Sequence, residues 1–179
     1  MDALIVVDMQ KDFCYPDGSL YIGDHVRTIF DPIKKVVETA RRNMPVVFTQ
    51  DWHRRDDPEF RIWGPHCIEN TRGAEVIDEI NPMPDDYYVK KRKYSAFFAT
   101  DLDLILRELD VRRLYVVGVV TNICVLHTVA DAVMRGYEVY VLKDCTAALT
   151  DYEYEYGMKH IKDVLRAKII SSEDFQSSI

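Results

Sequence analysis

"LYVVGVVTNICVLHTVADAVMRGYEVYVL", Leu114 to Leu142, is the stretch whose pattern decides the fold. It opens on an apolar, β-branched run, "LYVVGV" (114–119), with no polar alternation, as a strand covered on both faces requires. From Cys124 to Arg135 apolar side chains recur at 125, 129, 132 and 133, a helical spacing, and Gly136 supplies the stop. A second run, "EVYVL" (138–142), follows directly. Strand, helix and strand in so short a span predict two parallel neighbours joined by a crossover helix.

The same alternation extends in both directions. Further strands are predicted at "ALIVV" (3–7), "PVVFT" (45–49), "DYYVK" (86–90) and "AKII" (167–170). In "DPIKKVVETARRN", Asp31 is placed to cap a helix and Pro32 suits its first turn, with Ile33, Val36, Val37 and Ala40 on one face. Thr100 with Asp103, and Thr150 with Glu153, have capping-box spacing, the latter before a helix to about Arg166. Six strands alternating with helices predict a doubly wound, Rossmann-like α/β fold: a parallel sheet covered on both sides, forming one domain over 1–179.

Composition narrows the function. The chain has 179 residues, 47% of them apolar, and a formal net charge of −7. No basic surplus exists to neutralise phosphates, so no nucleic-acid partner is expected. No apolar stretch is long enough for a membrane span, and the N-terminus lacks signal-peptide features. Four scattered cysteines without a CxxC pair suit a reducing compartment, so a cytoplasmic location is expected.

In doubly wound sheets ligands bind beyond the C-terminal strand ends. Asp8 follows the first strand there, Asp51 the second, Lys90 and Lys91 the third, and the fourth leads to Cys124. Each alone reads equally as a solvated loop start or, for Cys124, as a small packed residue. Together they are a coherent set: a helix-start thiol, an ammonium that favours its thiolate, a carboxylate to take the proton, and a turn with free N–H groups for an oxyanion. Alternation along the strand lets only one of the two lysines face the site. His127, three residues after Cys124, invites a Cys/His pair, but the set is complete without it. In "KKRK" (90–93), Lys90, Arg92 and Lys93 read as a solvated face. After the second strand, "QDWHRRDDPEFRIWGPHC" holds Asp51, His53, Glu59 and His66. These are donor types for a divalent ion, although loops are commonly rich in them.

The pieces "ALIVVDMQKDF", "VVFTQDWH", "PHCIENTRGAE", "KRKYSAFFATDLDLILRE" and the opening stretch resemble the isochorismatase-like cysteine hydrolases, and among them the nicotinamidases. The resemblance implies a three-layer α/β/α sandwich around a six-stranded parallel sheet. It implies Cys124 as nucleophile, Asp8 as general acid and base, and Lys91, three residues before Tyr94, as the third member. It places a cis peptide at Val119–Val120 and an oxyanion hole at the N–H groups of Val120 and Cys124. It implies a divalent metal, zinc first and manganese or iron next, on Asp51, His53 and His66, with Glu59 as an acidic ligand. Phe13, Trp63 and Tyr94 would enclose a pyridine ring. The implied reaction is hydrolysis of nicotinamide to nicotinate and ammonia, in a homo-oligomer. The alternatives are an amidase for carbamoyl or ureido substrates and a silent binding subunit. Asn122 departs from the family pattern, where many relatives have Asp.

Overall fold

Six strands, β1 (Asp2–Val7), β2 (Val46–Asp51), β3 (Tyr87–Lys91), β4 (Arg113–Val119), β5 (Glu138–Ala147) and β6 (Lys168–Ile170), form one sheet in the order β3-β2-β1-β4-β5-β6. All of its pairings are parallel. The computed structural model describes residues 1–179. Its helices are α1 (Lys11–Cys14), α2 (Phe30–Ala40), α3 (Phe60–Trp63), α4 (Leu102–Glu108), α5 (Leu126–Met134), α6 (Asp151–Asp163) and α7 (Ser172–Ser177). None is long and apolar enough to cross a membrane.

Burial on both faces explains the unbroken apolar runs. Leu4 and Val6 of β1 pack with Ile33, Val36 and Val37 of α2 and Phe175 of α7. Ala3, Ile5 and Val7, pointing the other way, pack with Leu102 and Leu106 of α4, Val129 of α5 and Ile161 of α6. Successive side chains thus enter two separate cores, and neither face tolerates a polar residue. The chain is the predicted α/β/α sandwich.

Several local expectations are corrected. Asp31 does not cap α2: a 3₁₀ segment, Asp24–Ile29, runs straight into the helix, so Asp31 lies inside its first turn. Thr100 and Asp103 form no capping box. The Thr100 hydroxyl donates to the Ala96 carbonyl at 2.5 Å, and Asp103 accepts from the Tyr137 hydroxyl at 2.7 Å. Thr100 still accepts the Leu102 N–H at 3.3 Å, but α4 starts one residue later than the motif requires, with Asp101 at its N-cap. Thr150 does cap α6, accepting the Glu153 N–H at 3.2 Å, but the helix ends at Asp163, before Arg166. The stretch that starts at Cys124 is not all α-helix: a wider π turn, Thr121–Val125, precedes α5.

Strand β4 approaches β1 so closely at Gly118 that only a hydrogen fits. A Cβ there would stand 2.1 Å from the Val7 carbonyl oxygen, and its φ of +112° lies where L side chains are strained. Gly118→Ala is therefore expected to cost more than about 2 kcal/mol of stability, measured by urea denaturation. Gly136→Ala, with open space around it and a φ of +85°, is expected to cost about 1 kcal/mol.

Candidate active site

The strand order reverses between β1 and β4, and the site opens at that switch point. Asp8 leaves β1 in a left-handed conformation, φ 48°. That turn brings its carboxylate to Thr49. Thr49 on β2 fixes it: the Asp8 N–H donates to Thr49 Oγ1 at 3.2 Å, and the Thr49 hydroxyl donates to Asp8 Oδ1 at 2.6 Å. Asp8 is wholly buried, and its Oδ2 has no hydrogen-bond donor. Burial pushes its carboxyl above the ordinary value, outweighing the nearby Lys91 ammonium.

The pleat of β3 settles which lysine faces inward. Lys91 is buried, whereas Lys90 points out with its ammonium 3.8 Å from the centre of the Trp52 ring. Lys91 Nζ lies 2.8 Å from Asp8 Oδ2, an ion-pair contact without hydrogen-bond alignment. It also donates to Asp51 Oδ1, to the Lys93 carbonyl at 2.9 Å and to Cys124 Sγ at 3.6 Å. Burial alone would favour the neutral amine, but Asp51 and Asp8 outweigh it and hold the ammonium.

Cys124 is presented by the π turn. The Val120 carbonyl accepts from the N–H groups of Ile123 and Val125, passing over that of Cys124. The Val119–Val120 peptide is cis. Gly157 of α6 packs against this turn, where a Cβ would lie 3.1 Å from Asn122 Cα. Burial raises the Cys124 thiol well above its ordinary value, which Lys91 only partly offsets. The Asp8 carboxylate and Cys124 Sγ lie within 4.8 Å of each other.

Across Lys91 stands a second group. Asp51 Oδ2 lies 3.5 Å from His53 Nε2 and 3.6 Å from His66 Nε2. One donor atom from each of the three lies within 4.8 Å of the others. His53 Nδ1 faces the Asp57 carboxylate at 3.0 Å and His66 Nδ1 the Gly64 carbonyl at 2.8 Å. Both partners only accept, so each Nδ1 carries a proton, and in the neutral ring each Nε2 offers a lone pair. His53 Nε2 is buried without a hydrogen-bond partner. Two imidazole nitrogens and a carboxylate oxygen converging in this way fit one divalent cation with positions left open. Glu59 stands outside the trio and pairs with Lys93 at 3.2 Å.

Between the two groups lies a cavity of about 240 Å³. Phe13, Tyr21, Trp63 and Tyr94 line it with Leu20, Ile22, Val119, Ile123 and Leu149. The Trp63 indole N–H donates to the Tyr94 hydroxyl at 3.0 Å, locking two aromatic walls together. Cys124, Asp51, His66 and Glu59 face the same space, and no lysine or arginine does. His127 is exposed, with Nδ1 bonded to the Ile123 carbonyl at 2.7 Å, and lies outside this wall.

The basic run at 90–93 is more than a solvated face. Arg92 Nε donates to Asp57 at 2.9 Å and Lys93 to Glu59, so with Lys90 on Trp52 the run grips the donor loop at three points. The sequence reading also passed over Gln10. Its side chain donates to the carbonyls of Asp51 (2.8 Å) and Ala74 (2.9 Å) and accepts the Asp51 N–H at 2.8 Å. Asp12 likewise holds the loop, accepting the Cys67 N–H at 2.7 Å. Such partners lie tens of residues apart and leave no local pattern. Asp57 lies only four residues after His53, the one local spacing among these contacts.

The chain belongs to the isochorismatase family: residues 2–174 match the Isochorismatase domain. Its structure superposes on nicotinamidase from Bacillus subtilis with a TM-score of 0.89, 33% identity, and coverage of 95% of this chain and 99% of the other. N-carbamoylsarcosine amidase from Thermoplasma acidophilum gives 0.87, 39%, and 96% of each chain. Pyrazinamidase of Pyrococcus horikoshii, in complex with zinc, gives 0.87 and 34%, covering 95% of this chain and 98% of that one.

Removing Lys91 would leave Asp8 and Asp51 buried without their shared cation. Lys91→Met is expected to lower stability by about 3–5 kcal/mol in urea denaturation. Lys90→Met, losing one exposed cation–π contact, is expected to stay within about 1 kcal/mol. Equal losses would contradict the inward orientation of Lys91.

Proposed function

We propose that this protein is a metal-dependent amidase that hydrolyses nicotinamide to nicotinate and ammonia through a thioester on Cys124. The cavity carries the reading. Its walls are aromatic and aliphatic, and its charged lining groups are acidic. A neutral aromatic amide suits such a space. Carbamoyl and ureido substrates that bear a carboxylate would be served by a lysine or arginine in the wall, and the lining has neither. The family includes amidases of both kinds, and the lining of this cavity favours the first.

In the proposed course, Asp8 Oδ2 takes the thiol proton as the sulfur attacks the amide carbon, with Lys91 stabilising the developing thiolate. The N–H groups of Val120 and Cys124 receive the oxyanion. Asp8 returns the proton to the departing nitrogen as the C–N bond breaks, and ammonia leaves. Asp8 next takes a proton from water, whose oxygen attacks the thioester. The sulfur leaves and regains its proton, so nicotinamide and water become nicotinate and ammonia. Asp51, His53 and His66 would hold the metal, zinc by preference, with Glu59 beside them. When bound, that ion supplies an open position for a neutral, imidazole-like nitrogen such as that of pyridine. Phe13, Trp63 and Tyr94 enclose the ring.

Ammonia release from nicotinamide tests the reading. Cys124→Ala and Asp8→Asn are each expected to lower kcat at least about 10³-fold. A chelator is expected to raise KM or abolish turnover. No ammonia from the metal-loaded protein, beside turnover of a ureido acid, would replace the proposal. The pH profile gives a separate check. Asp8 must be ionised to accept the thiol proton, and its carboxyl is raised from 3.8. The acid limb of kcat/KM is therefore expected above the usual aspartate range, with activity lost as pH falls through it.

A further inference from the structure

We propose that Asp57, steadied by Arg92, is the positioning residue that orients His53 toward a bound divalent metal. The inference rests on the metal reading above. The Asp57 side chain is completely buried, yet every contact it makes is with a donor. Oδ2 meets His53 Nδ1 at 3.0 Å and Arg92 Nε at 2.9 Å, and Oδ1 accepts the Glu59 N–H at 3.0 Å. A carboxylate so bound stays ionised and can only accept, so it fixes both the tautomer and the tilt of the ring. The opposite nitrogen, Nε2, is buried without a hydrogen-bond partner, 3.5 Å from Asp51 Oδ2.

The two histidines are thereby made unequal. His66 is oriented by the neutral carbonyl of Gly64, His53 by a charge. A carboxylate behind an imidazole raises its strength as a ligand. Asp57 is not itself placed to take a second ion. Although it clusters with His53 and Glu59, the Arg92 and Lys93 cations already sit on the two carboxylates. The loop is charge-neutralised from outside, and the free valence points inward.

The experiment is zinc titration of chelator-stripped protein by calorimetry, comparing wild type, Asp57→Ala, Asp57→Asn and Arg92→Gln. Asp57→Ala is expected to weaken zinc binding about 10–100-fold. Asp57→Asn, which keeps an acceptor and loses the charge, is expected to fall between it and wild type. Arg92→Gln is expected to give a smaller loss in the same direction. Alkylation of Cys124 by iodoacetamide in the metal-free proteins should keep its wild-type rate, separating loss of ligand orientation from damage to the fold. Should Asp57→Ala not fold, the near-isosteric Asp57→Asn carries the test. Wild-type zinc affinity in the folded Asp57 variants overturns the inference and leaves the metal reading intact. Absence of zinc binding by the wild type overturns the metal reading, and this inference with it.

Discussion

The Lys91 ammonium, buried between Asp8 and Asp51, is the interaction on which the site depends. Three charged groups have been taken out of water together, and their mutual contact offsets much of the desolvation. The same cation has opposite outcomes at its two partners. Asp51 accepts a direct hydrogen bond from Lys91, whose charge holds its carboxyl below the usual range despite burial. Asp8 has a threonine and an imperfectly aligned lysine, so burial wins and its carboxyl rises. One carboxylate is thereby made a permanent anion, suited to holding a cation. The other is made a group that can gain and lose a proton beside Cys124.

The sheet makes this partition geometrically inevitable. Asp8 and the turn bearing Cys124 leave the adjacent strands β1 and β4, on either side of the switch point. Asp51 and Lys91 close β2 and β3, paired directly across the ladder. Four residues far apart in sequence meet because four parallel strands end at one edge. The narrow contact of Gly118 with Val7 keeps the first two of those strands close enough for it.

Much of this was legible in the residues. Unbroken apolar runs required a sheet buried on both faces, and the strand-end polar residues marked the cavity edge. Alternation showed that one of Lys90 and Lys91 must face in, but the exact bounds of β3 decide which, and sequence does not supply bounds to one residue. The Thr100–Asp103 motif failed where Thr150–Glu153 succeeded because α4 begins one residue later, with Asp101 at its N-cap, and Asp103 accepts from the Tyr137 hydroxyl instead. Tertiary partners override a local motif whenever they lie within reach. The grip of the 90–93 run on Trp52, Asp57 and Glu59 was hidden for the same reason: a lysine beside solvent and one docked on a loop look alike in a sequence.

Gln10 shows how the stiffness of the sheet is carried past its own end. After Val7 the chain of β1 turns away at Asp8, and the main chain of Asp51 loses its strand neighbour on that side. The Gln10 side chain takes the vacated place, giving to the Asp51 carbonyl and accepting from its N–H as a backbone rung would. It is a prosthetic rung, a strand one amide long. The edge that holds Asp51 is thus mechanically part of the ladder, although on the β1 side the chain is already loop.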